Sequence, residues 1–161
     1  MKHLDYDDPA IDGQWCEACR SRVAEYLRQR GIEHGRIGEW PAWHLAPYVS
    51  IWAIESAKYP EWIGWWVICG DLPTDYVSAE TIKHPREAMR AFAELWIETS
   101  SLMSRGERHP TFWVGSAENQ LELAPLLDGR GRTLLEWSND DSYWGPEFLI
   151  PSSAHRVGGA A

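Results

Sequence analysis

Residues 49–55 read VSIWAIE, and residues 62–69 read WIGWWVIC. Both segments are rich in β-branched and aromatic residues, a composition that is typical of β-strands. Between them the pattern is broken at Lys58, Tyr59 and Pro60. The two segments are therefore predicted to form a β-hairpin, and this hairpin decides the fold.

Each predicted strand carries apolar side chains on both faces. Because successive side chains of a strand point to opposite faces, Trp52 and Ile54 share one face, and Ile51 and Ala53 share the other. Residues 65–68 repeat this arrangement in the second strand. Strands of this kind are typical of a sheet that is covered on both sides, so we expect the hairpin to be central.

Helical patterns flank the hairpin. Apolar residues at intervals of three and four predict helices near residues 15–30, 85–104 and 125–138. Gly31 suits a left-handed cap at the end of the first helix. The expected fold class is α+β, with a mainly antiparallel sheet built on the central hairpin and packed by about three helices.

The remaining segments complete the predicted organisation. Residues 75–78 and 111–114 are predicted as further short strands, and residues 34–47 as an ordered aromatic loop. The acidic residues 1–12 are expected to be a flexible N-terminus, residues 13–144 a single α+β domain, and residues 145–161 a flexible C-terminal tail.

Composition narrows the classes of partner and compartment. The chain of 161 residues carries a formal net charge of -9, which disfavours nucleic acid and anionic membranes as partners and favours a basic protein. An odd count of 3 cysteines indicates a reducing compartment, and the first residues lack an apolar signal core, so a cytoplasmic location is expected. The 11 tryptophans predict an aromatic-rich core or surface, and the oligomeric state stays open.

The cysteines are predicted to be structural. Residues 15–19 read WCEAC, the spelling of a thioredoxin-like redox site. Such a site needs a buried strand directly before its helix, and the acidic residues that precede Trp15 do not provide one. Cys16 and Cys19 instead fit the apolar stripe of the first helix, and Cys69 lies within a predicted strand. A zinc site would need two further ligands, so no metal and no cofactor are predicted.

Residues 40–44, WPAWH, are the richest segment in candidate binding residues. A loop that contains proline and glycine has to stay near water to satisfy its backbone, so we expect Trp40, Trp43 and His44 to form a partly exposed aromatic platform. In the alternative interpretation the indoles close one end of the core, and His44 bonds a backbone carbonyl.

Asp71, Asp75 and His84 follow the second strand and form a second candidate group. Carboxylates and an imidazole, together with His44, could hold a divalent metal or perform general acid–base chemistry. The same residues also suit a turn and a helix cap. The sequence contains no nucleophile elbow, zinc-protease motif, phosphate-binding loop or dinucleotide fingerprint, which favours a protein that is not an enzyme.

Several strings resemble one bacterial protein family, DUF4826. They are GEWPAWH at 38–44, SIWAIES at 50–56, GWWVICGDLPTDY at 64–76 and HPREA at 84–88. The likeness extends roughly from residue 15 to residue 141. The function of this family is unknown, so the resemblance implies one bacterial cytoplasmic domain and carries no activity.

Two functions are consistent with these observations. The first is a non-catalytic cytoplasmic binding module, of the immunity or regulator type, that presents an acidic, tryptophan-rich surface to a protein partner. The alternative is a small metal-assisted hydrolase that uses His44 with Asp71, Asp75 or His84.

Overall fold

The structure is a computed structural model and describes residues 3–110 and 119–146. Its described part divides into two compact units, one of residues 3–85 and one of residues 86–110 and 119–146. The single domain predicted over residues 13–144 stays a prediction. The predicted strand at 111–114 and the tail from residue 147 onward lie outside the described residues.

The first helix, α1, spans Pro9–Gln29 and begins six residues before the predicted start at Trp15. The side chain of Asp8 accepts a hydrogen bond from a backbone N–H of the first turn, and Pro9 occupies a position where its missing N–H is not needed. Residues 9–12, expected to be flexible, are therefore helical. At the other end Gly31 adopts φ +66°, which confirms the predicted left-handed cap.

Five antiparallel strands form one sheet. They are β1 (His34–Ile37), β2 (Trp43–Leu45), β3 (Val49–Ser56), β4 (Ile63–Gly70) and β5 (Leu72–Ser78). The order is β1-β3-β4-β5, with β2 also paired to β3, so the predicted hairpin of β3 and β4 is confirmed and central.

The prediction of a loop over residues 34–47 is wrong in part, because this segment contains β1 and β2. One edge of β3 is occupied by β4, and the opposite edge is long enough for two partners. Strand β1 pairs with the end of β3 near Ile54 and Ser56, and β2 pairs with its start. Both strands are short and carry Gly or Trp, so their sequences show no clear alternation.

Both faces of the hairpin are buried, as its sequence predicts. Helix α1 packs on one face, and the shared core consists of Cys19, Val23, Leu27, Ile37, Trp52, Ile54, Val67 and Cys69. On the opposite face, Ile51, Trp66 and Ile68 are at most 2% exposed. The indole N–H of Trp66 donates to the carbonyl oxygen of Ile82, 2.9 Å away, which satisfies its polar group.

An ion pair joins Arg36 of β1 to Glu55 of β3. The side chain of Glu55 is nearly buried and accepts hydrogen bonds from the backbone N–H and the guanidinium of Arg36, each at 2.9 Å. The backbone N–H of Glu61 donates to the same carboxylate at 2.9 Å. These donors hold the pKa of Glu55 at about 2, well below its ordinary 4.5.

The described part of the second unit is helical. It contains α2 (Pro85–Ser104), α3 (Gln120–Asn139) and a short 3-10 helix (Asp141–Tyr143). Helix α2 has the predicted bounds, whereas α3 begins five residues earlier than predicted and contains Pro125. Gly131 permits a close approach of the two helices, because a Cβ there would lie 2.9 Å from Ile97. Taken together, the described residues are of the α+β class, as predicted.

Candidate functional site

The first part of the candidate site is a pair of neighbouring side chains on one face of α1. Asp12 and Cys16 are four residues apart, so they lie one above the other on one face of the helix. Cys16 is 1% exposed, and the Asp12 side chain is 23% exposed. The pair exists only because α1 begins at Pro9 and so includes Asp12.

His44 completes the group from the sheet. It lies on β2 opposite Ser50, and its Nε2 is 3.0 Å from each carboxylate oxygen of Asp12. One ring nitrogen of His44, the Cys16 sulfur and one Asp12 oxygen all lie within 4.8 Å of one another. A helix and a strand thus bring together three side chains with different donor atoms.

Two indoles contact the His44 ring. Trp15 stacks at 6.4 Å between ring centroids, and Trp40 meets it edge-on at 5.4 Å and 89°. His44 is therefore fixed by Asp12 through hydrogen bonding and by both indoles through ring packing.

The segment that carries Trp40 is anchored on both sides. Arg20 of α1 donates from its guanidinium to the carbonyl oxygens of Ile37 and Gly38, each at 3.0 Å. The N–H of Ala42 donates to the carbonyl oxygen of Ile51 at 2.8 Å. Trp40 consequently lies on a loop that is tied to both α1 and β3.

The predicted aromatic platform is smaller than expected. Trp40 is 51% exposed, but Trp43 is only 7% exposed. Trp43 pairs with Ile51 and shares its buried face, whereas His44, the next residue, points to the α1 face. The platform therefore consists of the exposed Trp40 with the partly buried His44, and His44 bonds a carboxylate rather than a backbone carbonyl.

The second predicted group is not assembled with the first. Asp71 is exposed in the turn between β4 and β5, and Asp75 is 4% exposed within β5, where it accepts from the N–H of Tyr76. His84 lies just before α2. Over residues 3–110 and 119–146, the group of three potential metal ligands that lie within reach of one another is Asp12, Cys16 and His44, and Asp71, Asp75 and His84 do not belong to it.

The sequence interpretation missed Asp12, because it placed this residue in a flexible terminus. Two signals could have found it. Asp8 followed by Pro9 is a helix start, and a helix that begins there puts Asp12 four residues before Cys16.

The state of the Cys16 thiol limits the chemistry of the group. Burial and the nearby Asp12 carboxylate raise the pKa of Cys16 to about 12, so the thiol is neutral near pH 7. A neutral, buried thiol is a poor nucleophile. The group of Asp12, Cys16 and His44, termed the trio, therefore does not have the properties of an activated Cys–His–Asp catalytic site.

The two cysteines of the WCEAC motif have different surroundings. Cys16 faces His44, whereas Cys19 lies in the core of the first unit, where its thiol donates to Cys69 and its pKa is raised in consequence. None of the three cysteines forms a disulfide. The motif is therefore not a redox pair in the thioredoxin arrangement.

The comparisons with known proteins give a family. A family model described as a domain of unknown function, DUF4826, matches residues 10–144, which include all three residues of the trio. Searches of curated proteins and of solved structures found no match. Within the described residues, no helix is both long and apolar enough to cross a membrane. Because the model matches most of the chain, the protein belongs to the DUF4826 family.

Proposed function

We propose that this protein is a non-catalytic binding module, of the immunity or regulator type, that holds a positively charged segment of a protein partner. The proposed contact area, termed the Trp40 surface, consists of Trp40, His44 and Asp12. The observation that carries the proposal is that Trp40 is 51% exposed and yet held on a loop that is anchored to two elements.

Anchoring of this loop favours binding for an entropic reason. A side chain that is ordered before the partner arrives loses less conformational freedom on binding. Tryptophan is also one of the residue types that are enriched at the energetic centre of protein interfaces. Trp40 is an exposed tryptophan, and it is ordered because its ring contacts that of His44 at right angles and Asp12 in turn holds His44.

The charge around the Trp40 surface supports a cationic partner. Glu39 is exposed in the loop that carries Trp40, and Asp8 is exposed as the residue that caps α1, the helix of Asp12. Two arginines of the first unit have partners of their own, because Arg20 bonds two backbone carbonyls and Arg36 pairs with Glu55. An arginine or lysine of the partner could then stack on the face of the Trp40 indole and approach the carboxylates of Glu39 and Asp8.

We also propose a bacterial cytoplasmic setting for this interaction, which the three unbridged cysteines support because disulfides are rare in a reducing compartment.

Site-specific photo-crosslinking in the native cells tests the proposal. A photo-reactive phenylalanine analogue replaces Trp40 in one variant and Tyr59 in a matched control, since Tyr59 is 60% exposed on the turn between β3 and β4. We expect one basic protein to be captured from position 40 and not from position 59.

Affinity measurements with the captured protein complete the test. Trp40→Ala should weaken binding by roughly 30-fold or more, the loss typical of an interface hot spot, and Trp40→Phe should restore part of it. Binding should also weaken as salt is added, because the attraction is partly electrostatic. An acidic partner, or equal affinity for wild type and a folded Trp40→Ala variant, would contradict the proposal.

A further inference from the structure

We infer that Asp12, Cys16 and His44 form a binding site for one divalent transition-metal ion of the zinc class. The inference goes beyond the proposed protein-binding function, because it concerns a ligand that the isolated chain would bind.

The geometry is close to what such an ion needs. Zinc bonds of about 2.0–2.3 Å in a tetrahedron place neighbouring ligand atoms about 3.3–3.6 Å apart. In this site the three donor atoms lie within 4.8 Å of one another, and His44 Nε2 is 3.0 Å from Asp12. Side-chain adjustments of about 1 Å would therefore bring all three donors into range.

The donors come from regular structure rather than from a loose terminus. Asp12 and Cys16 are successive positions on one face of α1, and His44 lies on β2 within the sheet. Trp15 and Trp40 restrict the His44 ring from two sides. A site with fixed donors requires little ordering when the ion binds.

The donor atoms select the class of ion. One sulfur, one imidazole nitrogen and one carboxylate oxygen suit borderline-soft ions such as Zn²⁺ and Co²⁺, whereas Mg²⁺ and Ca²⁺ prefer oxygen alone. Binding would release the Cys16 proton to solvent as the metal–sulfur bond forms.

Burial indicates how the fourth position would be filled. Cys16 is buried on the inner side, and the Asp12 and His44 side chains are 23% and 20% exposed on the outer side. An ion held by three protein ligands could therefore take water, or a group from a bound molecule, from the solvent side.

Titration of the full chain with Co²⁺ alone tests the site, after treatment with a chelator. We expect one equivalent to bind and to produce the near-ultraviolet sulfur-to-cobalt charge-transfer absorption, which Zn²⁺ then displaces. Cys16→Ser should abolish this absorption. His44→Gln and Asp12→Asn should each weaken binding by roughly tenfold or more.

Matched controls use residues of the same type outside the site. Cys19→Ala removes the other cysteine of α1, and His34→Gln removes a histidine of β1. Both controls should bind Co²⁺ as the wild type does. Circular dichroism of each metal-free variant establishes that it is folded.

X-ray absorption of the zinc-loaded wild type gives a second readout that needs no variant. It should report one sulfur at about 2.3 Å and nitrogen or oxygen ligands at about 2.0–2.2 Å. The inference is overturned by any one of three results: no Co²⁺ binding at millimolar concentration, an absorption that survives in Cys16→Ser, or a zinc shell that contains no sulfur.

Discussion

Replacing His44 and Trp52 by alanine in separate variants distinguishes a partly buried site residue from a core residue. Trp52 is fully buried in the face that packs against α1, and its indole N–H donates to the Ser50 hydroxyl at 2.8 Å. His44 is about four-fifths buried as a side chain, and its hydrogen-bond partner is the partly exposed Asp12. The two substitutions should therefore destabilise the fold to very different extents.

The magnitudes follow from what each side chain contacts. Removal of a buried tryptophan costs about 3–5 kcal/mol, whereas loss of one hydrogen-bonded contact near the surface costs about 0.5–1.5 kcal/mol. For a chain of this size each kcal/mol lowers the thermal midpoint by about 2–4 °C. Trp52→Ala should thus lower the midpoint by roughly 6–20 °C, and His44→Ala by roughly 1–6 °C.

Thermal unfolding followed by far-ultraviolet circular dichroism, together with urea unfolding, measures both effects. Trp62→Ala serves as the matched control for loss of an indole, because Trp62 is 41% exposed. It should resemble His44→Ala rather than Trp52→Ala. If His44→Ala lowers the midpoint as far as Trp52→Ala does, then His44 is a core residue and the exposed platform does not exist.

Three further predictions concern the first unit and α3. The pKa of Glu55 is held at about 2 rather than 4.5, so its contribution to stability is complete above pH 4.5 and is lost as the pH falls toward 2. Over that interval the thermal midpoint of Glu55→Gln should change less than that of wild type. An equal change in both proteins would contradict this reason. Gly70→Ala should lower the free energy of unfolding in urea by at least about 2 kcal/mol, because φ is +150° and a Cβ would lie 2.2 Å from the Tyr48 carbonyl oxygen. The control Gly129→Ala should stabilise the chain, because no atom lies within 4 Å of the added Cβ. Comparable effects of the two substitutions would refute the steric argument. Hydrogen exchange should be slowest at residues 65–68, which pair on both sides within the sheet, and rapid exchange there would contradict the central position of β4.

Local sequence signals were sufficient where a pattern is long and its cause is local. The β-branched and aromatic composition of 49–55 and 62–69 predicts the central hairpin, and the stripe from residue 85 to residue 104 gives α2 its observed bounds. Gly31 was predicted as a left-handed cap because glycine adopts positive φ without a steric penalty, and φ there is +66°.

Local signals failed where a distant partner decides the structure. β1 and β2 are strands because the free edge of β3 offers them hydrogen bonds, which no short-range pattern reveals. The loop interpretation of residues 34–47 was wrong for this reason. The burial of Trp43, in contrast to the exposure of Trp40, likewise depends on which face of the sheet each residue meets.

The candidate site shows the same division. By itself the sequence determined the α+β class, the central hairpin, the acidic charge and the presence of Trp40 and His44 in one segment. Only the tertiary structure decided that His44 meets Asp12 and Cys16, because these residues are 32 and 28 positions away along the chain and come together through the packing of α1 on the sheet. Side chains separated so far in sequence become neighbours through the burial of apolar surface between a helix and a sheet, and that contact is not encoded in the spacing of the residues themselves.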